Sequence, residues 1–136
     1  MTEIAVPVSP GELLDKITIL EIKSVRIGDP GKLCNVRVEL ETLRRAWAES
    51  AHAHADVAAD KEALYAVNER LWRIEDDIRA KEHAQAFDRE FIELARAVYF
   101  ENDERAAIKR RINARLKSAL IEEKSYRDYR GGRPAR

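Results

Sequence analysis

The hydrophobic positions between residues 10 and 27 follow a helical repeat and cover more of the helix than one core-facing side needs. Leucine, isoleucine and valine recur there at spacings of three and four, which is typical of an α-helix. Ser9, Pro10 and Glu12 form a helix start, with a capping hydroxyl, a first-turn proline and a carboxylate that completes a capping box. Because the apolar arc is so wide, we expect this helix to contact two or more neighbours and to be the central element of the fold.

The same repeat predicts further helices. Asp29 and Pro30 begin a second helix that runs to about residue 50, and a heptad-like stripe predicts a third helix over 58–84. Asp88 caps a fourth helix. No alternating pattern supports a paired strand, so the sequence predicts an all-α fold, an antiparallel bundle of four or five helices.

The fourth helix changes its pattern at "END", residues 101–103. Asn102 and Asp103 are of residue types that favour caps over helix interiors. We therefore expect a kink or a restart of the helix at this point.

The length of 136 residues fits one domain. We assign residues 1–126 to a single helical bundle and 127–136 to a mobile basic tail. No apolar run approaches the ~20 residues that cross a bilayer, and the first ten residues lack the basic start and apolar core of a signal peptide. The expected location is the cytoplasm, with no membrane contact.

Charge is distributed unevenly along the chain. Residues 1–104 hold 14 Lys and Arg against 22 Asp and Glu, whereas residues 105–136 hold 11 against 3. The basic end therefore favours contact with an acidic surface of this protein, of a second copy, or of a polyanion. Its cations, with Tyr126 and Tyr129, have the chemistry to bind a nucleic acid, but the acidic remainder would repel phosphates, so this partner is disfavoured.

Several polar residues interrupt the apolar stripes. Glu21 lies inside the apolar arc of the first helix, where an unpaired charge is costly. Its carboxylate either faces a ligand in a cleft or, the reading we favour, forms an ion pair with Arg105 or Lys109. Asn68 and Glu75, one heptad apart on the third helix, either fix helix register through interhelical contacts or line a pocket; we favour the contacts.

These residues define a candidate ligand site, a polar interhelical cleft that would accept an anionic sugar or nucleotide. Its predicted members are Glu21, Asn68, Glu75, Arg96, Asn102, Arg105 and Lys109. A Glu-x-x-His motif occurs once, from Glu49 to His52, whereas a di-iron site in a helical bundle requires this motif on two helices. The sequence therefore predicts no metal, no cofactor and no catalytic residue.

Three stretches, "PVSPGELLDKITILEIKSVRI", "VNERLWRIEDDIR" and "FIELARAVYFENDERAAIKRRIN", together with the later "EEKSY", resemble a family of small bacterial proteins of unknown function. The likeness runs from about Pro7 to Tyr126. It implies a helical protein of this length and assigns no catalytic residue.

The favoured function is a non-catalytic interaction module that associates with itself, as a dimer, and docks a protein partner. The contact surface would be the surplus apolar side of the first helix or an aromatic flank of Trp47, Tyr65 and Trp72. The alternative is a small-molecule-binding protein or enzyme that uses the polar cleft.

Overall fold

Four α-helices form the fold in a computed structural model that describes residues 2–130. They are α1 (Pro10–Arg26), α2 (Pro30–Ala48), α3 (Ala58–His83) and α4 (Arg89–Arg115). Residues 2–130 contain no β-strand. The predicted all-α bundle is confirmed, with four helices.

Local capping explains why the helix starts lie so close to the predicted ones. The Ser9 hydroxyl accepts a hydrogen bond from the backbone N–H of Glu12 at 3.1 Å. Asp29 accepts from the N–H of Lys32 at 2.9 Å, and Asp88 accepts from that of Phe91 at 3.0 Å. Each cap satisfies an otherwise unpaired backbone donor and contributes about 1 kcal/mol to helix stability.

Helix α1 is the central element, as predicted, because it packs against each of the other three helices. Leu14 of α1 belongs to a core cluster with side chains of α3 and α4, and Ile17 and Leu20 belong to a second cluster with side chains of α2. The residues that α1 meets in these clusters are Leu64, Val67, Ile108 and Ile112, and Val36 and Leu40, respectively. Among the helices of residues 2–130, α2 packs against α1 alone.

Helix α4 continues through residues 101–103, so the restart predicted there does not occur. The polar side chains at this point bond to other segments instead of capping the backbone. Glu101 accepts a hydrogen bond from Arg70 at 2.9 Å, and Asp103 accepts one from the Tyr129 hydroxyl at 2.7 Å. A side chain held by a distant partner no longer competes for backbone groups of its own helix, which removes the reason to break it.

Helices α3 and α4 form an antiparallel hairpin that is longer than α1. Their 26 and 27 residues each span about 40 Å, whereas the 17 residues of α1 span about 25 Å. All polar side-chain contacts between α1 and the hairpin lie at residues 61–68 and 109–113 within the described part of the chain. Residues 69–104, the part of the hairpin that includes its turn, are called the distal arm below.

Residues 116–130, called the C-terminal segment below, contain no helix and return along α4. Arg130 lies 3.4 Å from Asp103 of that helix. Thus the first part of the predicted mobile tail contacts the bundle, and its last part, 131–136, lies outside the described residues. No described helix is long and apolar enough to cross a bilayer. The cytoplasmic location stays a prediction.

Helix α1 approaches α4 closely at Gly11, which leads to a stability prediction. A Cβ at this position would lie 2.7 Å from the backbone oxygen of Lys109 and 2.8 Å from Oδ1 of Asn113. We expect Gly11→Ala to lower the free energy of unfolding by about 1–3 kcal/mol, because helix backbone must move to relieve the overlap. Urea unfolding followed by circular dichroism measures this.

Gly28→Ala is the matched control, since a Cβ there meets nothing within 4 Å. Its free energy of unfolding should stay within about 1 kcal/mol of the wild-type value. Equal losses in the two variants would contradict the close approach.

Candidate functional site

Buried polar side chains meet where α1, α3 and α4 pack together. This polar cluster consists of Asp15 and Thr18 of α1, Asn68 of α3, and Lys109 and Asn113 of α4, all buried. Buried polar groups need hydrogen-bond partners to offset the loss of water. The cluster is therefore the first place to look for chemistry.

Asn68 joins three segments of the cluster. Its amide nitrogen donates to Oδ1 of Asp15 at 2.8 Å and to the Thr18 hydroxyl at 3.0 Å. Its amide oxygen accepts from Arg105 at 3.3 Å. These bonds hold α1, α3 and α4 in one register, which is the interhelical role favoured for Asn68.

Lys109 is a buried cation held by carboxylates. Its Nζ lies 2.8 Å from Glu12, 2.8 Å from Glu122 and 3.9 Å from Asp15. Burial by itself would lower the pKa of Lys109, but the hydrogen bonds to Glu12 and Glu122 outweigh it and leave that pKa raised. The amine stays protonated, so it is a poor nucleophile or general base.

A second buried carboxylate, Asp60, was not predicted from the sequence. It accepts hydrogen bonds from Arg111 at 2.9 Å and from Arg115 at 2.6 Å. Asp60 lies in the first turn of α3, where an acidic residue is common because it stabilises the helix dipole. Its position in the sequence therefore did not indicate an ion pair with a distant helix. These pairs commit two cations of the basic end to the protein itself.

Glu21 forms an ion pair, as its position in the apolar arc of α1 predicted, but its partners differ from the predicted ones. Its carboxylate lies 2.9 Å from Arg44 and 3.6 Å from Lys61, instead of near Arg105 or Lys109. The correction has a geometric reason. Six residues separate Glu21 from Asp15, which is about 120° around the helix, so the two carboxylates face different neighbours.

The other predicted cleft residues, Glu75, Arg96 and Asn102, are distributed along the distal arm. Glu75 pairs with Arg79 one turn away at 3.1 Å. Arg96 is exposed and lies over the Phe100 ring at 5.7 Å from its centroid, and Asn102 is half-buried. The structure thus brings together Asn68, Arg105 and Lys109 but forms no single cleft from all seven residues. Ligand binding by them stays a prediction.

A groove lies between α4 and the C-terminal segment. It has a volume of about 810 Å³ and is lined in part by Tyr99, Phe100, Arg110, Arg127 and Tyr129. The three aromatic rings form a group with centroids 5.0 to 5.2 Å apart. Of these three rings, only Tyr129 was considered for stacking from the sequence, together with Tyr126. The adjacent pair Tyr99 and Phe100 was an available signal, since neighbouring residues lie about 100° apart on a helix and do not both face one narrow stripe.

Sequence similarity extends over nearly the whole chain. Residues 4–132 match a family described as "Family of unknown function (DUF6165)". The chain belongs to the DUF6165 family. The resemblance inferred from the sequence is thereby confirmed. No curated protein and no solved structure matches the chain significantly.

The buried cation of this DUF6165 protein leads to a second stability prediction. Lys109→Met leaves Glu12, Asp15 and Glu122 without their shared partner. We expect the free energy of unfolding to fall by about 2 kcal/mol, less than for a fully buried pair because both glutamates keep some contact with water. Thermal and urea unfolding measure the loss.

Lys16→Met is the control for this variant, because Lys16 pairs with the same Glu12 carboxylate at 3.7 Å from an exposed position. Its loss should not exceed about 0.5 kcal/mol. A Lys16 effect as large as the Lys109 effect would show that burial of the cation does not matter.

The hydrogen bond from Lys109 lowers the pKa of Glu122 below the ordinary 4.5. A lowered carboxyl pKa stabilises the fold at pH values above 4.5, and this contribution is lost as the pH falls through the lowered value. The unfolding free energies of the wild type and of Glu122→Gln should therefore differ at neutral pH and converge in acid. Urea unfolding at a series of pH values tests this. A difference that does not shrink in acid would contradict the pairing.

Proposed function

We propose that this DUF6165 protein is a non-catalytic interaction module that forms a dimer through its distal arm. The observation that carries the proposal is the burial pattern of the arm. None of residues 69–104 is buried, although both of its helices carry apolar side chains at helical spacing. Exposed apolar surface of this kind is typical of an interaction site.

Two helices alone leave one side of their apolar seam open to water. The half-buried seam residues of the arm are Leu71, Trp72, Ile74, Ile78, Phe91, Leu94 and Val98. Phe87 and Ile92 are each 55% exposed beside this seam. Two arms packed together would give four helices around one covered seam, which is the arrangement of a stable four-helix bundle.

Several charged side chains of the arm are paired within one copy. Arg73 pairs with Glu69 at 2.7 Å, and Arg89 pairs with Glu93 at 3.3 Å, each within one helix. Arg70 of α3 pairs with Glu101 of α4 at 2.9 Å. Because these charges are paired within one copy, the seam can be covered at little cost in unpaired charge.

The arm has stronger support than the other surface predicted for self-association. Leu14, Ile17 and Leu20 of α1 pack in the core clusters of their own chain, and Trp47 packs against both clusters. Of the predicted aromatic flank, Trp72 is the residue that lies on the arm. A second copy of this chain is therefore the proposed occupant. Docking of a different protein partner would use the same surface.

The alternative function, binding of an anionic sugar or nucleotide in the polar cluster, has weaker support. Arg105 and Lys109 already contact Asn68 and three carboxylates. A ligand there would have to displace bonds that the bundle uses to fix its register.

The dimer leads to a test by size-exclusion chromatography with light scattering. We expect the full-length protein to have the mass of a dimer at high micromolar concentration and to dissociate on dilution. Ile92→Glu should shift it to the monomer, because a charge would be placed beside the seam, within the contact between the two arms.

Val25→Glu is the control, since Val25 is 73% exposed on α1, outside the arm, and should leave the dimer intact. Circular dichroism should show that both variants keep their helices. A wild-type protein that stays monomeric at high micromolar concentration would overturn the proposal.

A further inference from the structure

We propose that the groove between α4 and the C-terminal segment binds a nucleotide, whose base packs against the aromatic rings and whose phosphate contacts Arg110 and Arg127. The groove shares Tyr99, Phe100, Asp103 and Glu104 with the distal arm, but it contains none of the seam residues of the proposed dimer. It uses side chains that neither the polar cluster nor the core employs.

The groove is held open between two attachment points. Near one end, Glu122 of the C-terminal segment contacts Lys109 at 2.8 Å. At the other end, the Tyr129 hydroxyl donates to Asp103 at 2.7 Å. The residues between these points pass over α4 and leave a volume of about 810 Å³, which is of the size that small-molecule sites have.

The aromatic wall offers ring surface to a planar ligand. Tyr99, Phe100 and Tyr129 are 40%, 44% and 40% exposed, respectively, although they contact one another. Ring faces of this kind stack with nucleobases of any sequence. Tyr126, which is 81% exposed at the edge of the groove, adds a fourth ring.

Two of the four cations that line the groove form no ion pair among residues 2–130, whereas Lys124 pairs with Glu122 and Arg130 pairs with Asp103. Arg111 and Arg115 pair with Asp60. Arg110 and Arg127 are exposed, and neither has a carboxylate within 4.0 Å among residues 2–130. A guanidinium presents a planar set of donors that matches a phosphate, so these two side chains favour an anionic group on the ligand.

An unpaired acceptor in the groove fits a sugar hydroxyl. Asp128 lines the groove, and its Oδ2 is buried without a hydrogen-bond partner in the described part of the chain. This oxygen has no accessible surface in the structure, so a ribose hydroxyl would bond to it once the Asp128 side chain rotates toward the groove. Rings, cations and acceptor together match the three parts of a nucleotide, whereas inorganic phosphate would use the cations alone.

Isothermal titration calorimetry of the full-length protein with AMP, adenosine and inorganic phosphate tests the proposal. We expect AMP to bind at one site per chain, and the other two compounds to bind at least about tenfold more weakly, since each lacks one set of contacts. Equal affinity for all three, no binding of AMP, or binding of an oligonucleotide without binding of AMP would each overturn it.

Variants of the groove make the test specific. The double variant Arg110→Gln, Arg127→Gln should weaken AMP binding by about tenfold or more. The control is Arg37→Gln, an exposed arginine of α2 far along the chain from the groove, which should leave the affinity unchanged. Unfolding curves establish that each variant is folded.

Glu104 provides a test of the opposite sign. It lines the groove and forms no ion pair within residues 2–130, whereas Asp103 and Asp128 contact Arg130. Glu104→Gln should tighten AMP binding about twofold, as expected for removal of one exposed like charge. Weaker AMP binding in Glu104→Gln, or an equal loss of affinity in the double variant and in Arg37→Gln, would contradict a phosphate at this position.

Discussion

The rest of the structure depends on the packing of α1 against the other three helices. This helix carries apolar side chains around most of its circumference, so it is stable only where neighbours cover it on several sides. The same enclosure removes water from its polar side chains. Asp15 and Thr18 must find partners inside the protein, and they find them in Asn68. The polar cluster is thus a consequence of enclosing α1, and its bonds in turn fix how the three helices are aligned.

Enclosure of α1 also divides the hairpin of α3 and α4 into two parts that differ in the burial of their side chains. Near α1 the hairpin has buried side chains such as Leu64 and Ile112, whereas the distal arm has none. A helix of 17 residues is too short to cover helices of 26 and 27 residues along their whole length. The open seam that supports self-association is therefore a result of unequal helix lengths, not of a local sequence motif.

The C-terminal segment has a different relation to the bundle. Its basic residues face an acidic protein, and Arg130 contacts Asp103 as that imbalance favours. The segment also places Tyr129 on the rings of Tyr99 and Phe100, and so converts an exposed face of α4 into one wall of a groove. The ion pair between Arg130 and Asp103 attaches the C-terminal segment to α4, and the aromatic rings form the apolar part of the groove between them.

The sequence by itself determined the helices, because their signals are local. Ser9, Asp29 and Asp88 cap backbone groups three residues away, and the apolar repeat needs only neighbouring turns. Side-chain partners depended on the tertiary structure, since they follow from how helices are rotated and how far each extends. Glu21 required a cation, but the rotation of α1 selected Arg44 and Lys61. Asn102 and Asp103 suggested a break in α4, but contacts that only the folded chain provides kept that helix continuous. The sequence shows which buried polar or charged side chains need a partner. The packing of the helices determines which partner is close enough to form the contact.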